Sequence, residues 1–209
     1  MKIAVVAANG KSGRLIVKEA LDRGLDVTAV VRGQNKTAAK KAVIKDIMEL
    51  TKDDLKGFDV VVDAFGTFSP DTLSQHSITL KHLCDILSGS KIRLLIVGGA
   101  GSLYVDKEHK TQLFNTPEFP KEYLPLAKAQ GKALDELRKR DDVQWTFISP
   151  AADFQAEGER TGKYILAGEE FTLNSKNESV ISYADYAIAM VDEIESGKHI
   201  KQRISVVRE

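Results

Sequence analysis

A chain of 209 residues, 43% apolar and 29% charged, is long enough to bury one substantial core, so a single domain over residues 1–209 is expected. Thirty basic residues balance thirty acidic ones, which excludes the overall positive field that would hold nucleic acid or an anionic membrane. The longest mostly apolar run, LLIVGGAGSLYV, is too short and glycine-rich to span a bilayer, and the N-terminal apolar stretch is brief, so a soluble cytoplasmic protein with a small-molecule substrate is expected.

In chain order, the first apolar run is IAVVA (3–7), read as a strand, followed by a glycine turn and the amphipathic stretch GRLIVKEALDRG, in which Gly24 takes the place of a C-terminal cap. A second strand, LDVTAVV (25–31), precedes NKTAAKKA, which reads as helical and would place Lys36 and Lys40 one turn apart. Next come a brief strand AVIK (42–45), a helical LTKDDLKG, a strand FDVVVDAF (58–65), a long helix between Thr72 and Leu87, and a strand IRLLIVGG (92–99). After an irregular stretch over 100–124, the helix LAKAQGKALDELRKR leads to a strand VQWTFIS (143–149). Residues 151–181, rich in glycine and charge, read as a long loop. Ser182 and Asp185 form a capping box ahead of a helix with Ala184, Ala187, Ile188, Val191 and Ile194 on one face, and ISVV (204–207) is a last strand at or near a sheet edge.

These strands are too apolar for half-exposed positions, and they alternate with helices. That pattern predicts an α/β fold with a parallel sheet covered by helices on both faces. Together with the glycine turn and the resemblance described below, it leads to the expectation of a Rossmann fold: a doubly wound, mostly parallel sheet, strand order 3-2-1-4-5 with further strands beyond.

The turn VAANGKSGR contains Gly10-Lys11-Ser12, the closing residues of a phosphate-binding P-loop. That motif needs GxxxxGK[ST], and the position of its first glycine is Val5, inside the strand, so the wrap of amides is missing. Asp63 at the end of FDVVVD could pass for the magnesium-binding acid of such an NTPase, but an acid closing an apolar strand is common. The better template is strand, GxxGxxG, helix, with Ala7 in place of the first glycine and Gly10 and Gly13 as the second and third. Gly10 would let the backbone approach a pyrophosphate, Gly13 would permit close helix-strand packing, and the free amides around Lys11, Ser12 and Gly13 would face the anion along the helix dipole.

An NAD-selective site carries Asp or Glu at the end of the second strand for the ribose 2′-hydroxyl, whereas this chain has Val30-Val31-Arg32. A guanidinium suits a 2′-phosphate, and Arg14, Lys36 and Lys40 could add to the field, so NADP(H) is expected over NAD(H). The same lysines also fit a solvated surface.

Cys84 is the only cysteine and sits in a helical segment as a small buried thiol would. His76, His82, His109 and His199 are not spaced to share a helical face as ligands, so no metal is expected. Carbonyl-reducing members of this fold use Tyr-x-x-x-Lys, but the residues four positions after the five tyrosines are Glu108, Ala127, Gly168, Ala187 and Met190. Tyr123 and Lys128 come nearest, five apart with Pro125 between. Proton-coupled alcohol or sugar chemistry is disfavoured. Hydride transfer to a flavin, which needs mainly alignment of two rings, is compatible with this absence, as is a dinucleotide-binding protein that catalyses nothing.

With AANGKSGR, LLIVGGAGSLYVD, WTFISPAADFQAEGERTGKY and VISYADYAIAMVDEIE, the chain resembles, over nearly its whole length, the NADH-flavin reductase-type proteins among the atypical short-chain dehydrogenase/reductases, relatives of NmrA-like and biliverdin reductase B-like proteins. The resemblance implies that Asn9, Gly10, Ser12 and Gly13 hold the pyrophosphate, that Arg32 meets the adenosine ribose, and that Asp46 flanks the adenine. It places Ala64, Phe65 and Gly66 along the adenosine, Gly98 and Gly99 beside the nicotinamide, and Pro150 at the loop over it. Taken alone, Asp46 equally suits a cap, Phe65 a core position and Pro150 a strand stop. Substrate-contact candidates are Ser102, near the fold's usual catalytic serine, Tyr104 and Phe154 as stacking surfaces, and Arg160. The expected activity is NAD(P)H-dependent reduction of a flavin or quinone-like acceptor; the alternative is a non-catalytic, NmrA-like redox sensor that binds a partner protein.

Overall fold

The computed structural model describes residues 1–209. Its main sheet is built from β1 (Lys2–Val6), β2 (Asp26–Val31), β3 (Lys41–Ile44), β4 (Val60–Asp63), β5 (Arg93–Val97), β6 (Gln144–Ser149), β8 (Tyr164–Ala167) and β10 (Gln202–Arg208), while β7 (Asp153–Gln155) and β9 (Val180–Ser182) pair separately. The order is β3-β2-β1-β4-β5-β6-β10-β8, which contains the expected 3-2-1-4-5. Every pairing in it is parallel except β10 with β8.

Two helices cover each face. On one side, α1 (Lys11–Asp22) and α4 (Tyr183–Ser196) bury Ile16, Val17, Ala20, Tyr186, Met190 and Ile194 against Ile3, Val5, Val60 and Val62. On the other, α2 (Gln75–Leu87) and α3 (Leu124–Leu137) bury Leu80, Leu83, Leu87, Leu134 and Leu137 against Ala4, Val6, Val61, Leu94 and Ile96. The alternation of β1 and β4 residues between two apolar layers explains why these strands read as continuous apolar runs: neither face is wet.

Gly24 adopts φ +76° just after α1, in the role expected of it. Three local expectations are corrected. NKTAAKKA is not helical: Asn35 Oδ1 accepts from the Thr37 N–H and Asn35 Nδ2 donates to the Ala39 carbonyl, so side-chain bonds hold a loop, and Lys36 and Lys40 do not share a helical turn. LTKDDLKG is a run of turns in which Asp54 accepts from Thr51 and from Lys45, an arrangement that replaces a helical ladder. The supposed loop 151–181 contains β7 and β8 and leads into β9; these strands are short and carry no periodic apolar pattern of their own. The capping box at α4 is half formed. The Ser182 hydroxyl accepts from the Asp185 N–H, but the Asp185 carboxylate turns to the Thr161 and Gly162 amides instead, tying the 151–181 segment to the helix.

Candidate functional site

Because β1, β2, β4, β5 and β6 run in parallel, the residues that follow them lie along one edge of the sheet: Ala7, Arg32, Ala64, Gly98 and Pro150. From β1 the chain moves outward to β2 and β3 and then crosses back to β4 on the other side of β1, and the crevice at such a reversal is where open α/β sheets take ligands.

At that point Ala7 takes φ +55°, the Gly10 N–H donates to the Ala7 carbonyl at 3.0 Å, and α1 starts at Lys11. A Cβ on Gly13 would lie 2.9 Å from the Ala7 oxygen and from both Cα and O of Ala8, so only glycine lets the helix sit this close to the strand. No side chain caps the start of α1 and its first turn holds no acid, which leaves the opening amides available to an anion. Ala7 occupies the template's first glycine position in a left-handed conformation that disfavours any side chain.

Asn9 does something the sequence did not indicate. Its Nδ2 donates to the Gln34 carbonyl at 2.9 Å, its Oδ1 accepts from the Lys36 N–H at 2.8 Å, and its own carbonyl accepts from Arg14 Nε. The loop after β2 is therefore latched to the glycine turn. Lys11, Arg14, Arg32 and Lys36 are all exposed around this junction, and none of them forms an ion pair; Lys40, expected to join them, is also exposed and unpaired but precedes β3, whose Lys41 pairs with Thr28, and so lies toward the opposite end of the parallel strands. A protein of zero formal net charge thus concentrates four unpaired cations at one end of its sheet.

Asp46 caps a short 3-10 turn over Ile47–Glu49: its side chain accepts from the Met48 N–H, and Glu49 returns a bond to the Asp46 N–H. After β4, Ala64 is buried, Phe65 half-buried and Gly66 exposed. Beneath them Asp63 is buried, its Oδ1 accepting from the Phe65 N–H at 3.0 Å, and desolvation raises its pKa from 3.8 to about 6. His76, on α2, donates from Nε2 to the Thr67 carbonyl at 3.0 Å and meets the Phe65 ring edge-on, 5.7 Å between centroids. Asp63, Phe65, His76, Gly98 and Gln130 line a cavity of about 20 Å³, enough for one water. Sequence reasoning weighed Asp63 only as a metal-binding acid and His76 only as a ligand; a strand-to-helix crossover separates them, so no local spacing pointed to the pair.

Gly98 and Gly99 end β5 under steric constraint. A Cβ on Gly98 would enter the Phe147 ring, and one on Gly99 would meet the Gln130 amide. Pro150 follows β6 and is buried. The substrate-contact candidates do not converge. Ser102 is buried, and its hydroxyl and carbonyl both accept from the guanidinium of Arg203. Tyr104 stacks on His109 at 4.6 Å, and the same Arg203 lies over its ring at 5.8 Å. Phe154 packs on Tyr183 and Tyr186, and Arg160 pairs with Glu19 on α1. Ser102 and Tyr104 share Arg203, while Phe154 and Arg160 have separate partners. The thiol of Cys84 is buried on α2 and pushed up to about 12 by burial, as an inert core cysteine would be.

A parallel sheet with its order reversal at β1, an uncapped helix opening on a glycine turn, and a group of unpaired cations beside that turn define a Rossmann-type dinucleotide-binding protein. The chain belongs to the NAD(P)H-binding family, whose model matches residues 7–196. YwnB of Bacillus subtilis (strain 168) is 49% identical over 212 residues, covering 100% of this chain and 99% of YwnB. A Streptococcus pneumoniae structure, named as a candidate NADH-flavin reductase, is 56% identical with all of both chains covered and a TM-score of 0.98. A Bacteroides thetaiotaomicron structure, named as a candidate epimerase, is 35% identical over 99% of this chain and 96% of its own, with a TM-score of 0.87. The resemblance to atypical short-chain dehydrogenase/reductases holds. No helix is long and apolar enough to cross a membrane.

Proposed function

We propose that this protein is an oxidoreductase that binds NADP(H) in preference to NAD(H) and passes hydride to a flavin or quinone-like acceptor. The observation that carries the reading is the turn Ala7–Gly13, where the missing side chain of Gly13 and the uncapped amides of α1 leave a seat for a diphosphate. Gly10, Lys11, Ser12 and Gly13 hold that diphosphate, while Asn9 braces the turn from its side. Arg32, with Lys36 in the same loop and Arg14 bonded through Nε to the Asn9 carbonyl, receives the 2′-phosphate, since a guanidinium binds phosphate oxygens in pairs and no carboxylate ends β2. Ala64, Phe65 and Gly66 line the adenosine half, Asp46 borders the adenine, and Gly98, Gly99 and Pro150 flank the nicotinamide.

A bound nicotinamide supplies the hydride. The chain's own residues orient its ring against an acceptor, and the lack of Tyr-x-x-x-Lys favours acceptors that take hydride directly, as a flavin does. The name of the Streptococcus pneumoniae relative supports the same acceptor class.

Two measurements test this. NADPH incubated with free FMN, FAD or a soluble quinone should lose absorbance at its nicotinamide band in the presence of the protein; tight dinucleotide binding without turnover would favour the NmrA-like sensor instead. Arg32→Ala should weaken NADPH by roughly tenfold or more, the scale of a charge-assisted phosphate contact, and leave NADH nearly unchanged. Equal losses for both cofactors would remove the basis for NADP(H) preference.

A further inference from the structure

Asp63 and His76 grip one short piece of backbone from below. The acid accepts from the Phe65 N–H and the imidazole donates to the Thr67 carbonyl, so the strap Ala64–Thr67 is tied at its start and at its end. Since a carbonyl can only accept, Nε2 of His76 carries the proton in this arrangement. The edge-on contact between Phe65 and His76 fixes the ring between the two ties. The strap's neighbours along the edge are the glycine turn after β1 and Gly98 after β5, so it forms part of the crevice between them.

Asp63 is also an acid without a counter-ion. Its titratable neighbours are His76 and Cys84, both on α2. The elements packed against it from the other sides contribute Ile96, Gly98, Gln130 and Phe147, none of them charged. Burial, opposed only by the Phe65 amide, sets its proton affinity. A dinucleotide brings two further negative charges to this edge, where a buried carboxylate interacts through protein rather than water.

We propose that Asp63 and His76 are the positioning residues of the Ala64–Thr67 strap, and that dinucleotide binding draws a proton onto Asp63. The inference rests on the dinucleotide reading above and adds a coupling to it. By linkage, if binding raises the proton affinity of Asp63, then protonation of Asp63 tightens binding by the same factor. Affinity therefore falls as pH rises through the range in which Asp63 loses its proton.

Calorimetric titration with NADH between about pH 5 and about pH 8 tests this, because NADH lacks the 2′-phosphate whose second ionisation, at about pH 6, would obscure the result. The wild type should weaken by about tenfold if the coupling is worth one pH unit, and its binding heat should vary with buffer ionisation in the sense of proton uptake. Asp63→Asn should bind with a flat profile. His76→Gln, which keeps a donor for Thr67, should behave as wild type, whereas His76→Ala should weaken binding by a similar factor at every pH. A slope that persists in Asp63→Asn, or wild-type binding without proton uptake, overturns the proposal. So does a slope lost in His76→Gln, which would assign the proton to the imidazole. Binding of neither NADH nor NADPH by the wild type at any pH would overturn the dinucleotide reading itself, and this inference with it.

Discussion

The Lys36 N–H donates to Asn9 Oδ1 at 2.8 Å across 27 residues of sequence, and with the Asn9 bond to Gln34 it makes the glycine turn and the loop after β2 one unit. The turn is proposed to hold the diphosphate and the loop to carry the cations that read the 2′-phosphate, so Asn9 sets the distance between two halves of one ligand. Asn9→Ala removes both bonds, each worth about 1 kcal/mol net. NADPH affinity should drop by roughly tenfold and NADH affinity by less, as read by fluorescence titration of both cofactors. A matched loss for the two would mean that the latch serves the turn alone.

Ala7 and Gly13 face each other across the turn with opposite problems. Ala7 holds φ +55°, where a side chain costs about 1 kcal/mol, so Ala7→Gly should raise unfolding stability by up to that amount in thermal or denaturant melts. Gly13→Ala places a methyl 2.9 Å from three backbone atoms that cannot yield without moving β1 or α1. It should destabilise the protein by about 2 kcal/mol and abolish dinucleotide binding even where the fold survives. Normal NADPH binding by the Gly13→Ala variant would show that the helix has room to retreat.

The buried acid at the end of β4 works against stability at neutral pH. The pKa of Asp63 is raised in the folded protein from 3.8 to about 6, so the folded state holds the proton more tightly than the unfolded chain. The stabilisation linked to this group is complete below about pH 4 and is lost as pH rises through about 6. Asp63→Asn removes the titration. Its stability relative to wild type should therefore improve by about 3 kcal/mol between acid and neutral pH, measured as a difference of urea midpoints at several pH values. A constant difference between the two proteins would show that Asp63 does not change its proton affinity on folding.

How much was legible in the sequence depended on how local its cause was. The apolar runs IAVVA, LDVTAVV and IRLLIVGG announced buried parallel strands because each is apolar on both faces, and Gly10 with Gly13 announced the turn because their spacing is set by one strand end and one helical turn. NKTAAKKA misled because lysine and alanine favour helix, yet Asn35 and Thr37 spend their side chains on a competing loop. The strands β7, β8 and β9 were hidden because each is three or four residues long and is held by partners elsewhere in the chain.

By itself the sequence determined the layered parallel sheet and the glycine turn, since apolar periodicity and the steric demands of a bend act over a few neighbouring residues; the order of its first five strands followed only from the fold type that those features point to. Only the tertiary structure decided that Asn9 braces the loop after β2 and that Asp63 and His76 meet beneath one strap. It also decided that Ser102 and Tyr104 are taken up by Arg203, which comes from the other end of the chain. Those relationships depend on which strand ends are brought side by side, and on which polar groups find partners once water is gone.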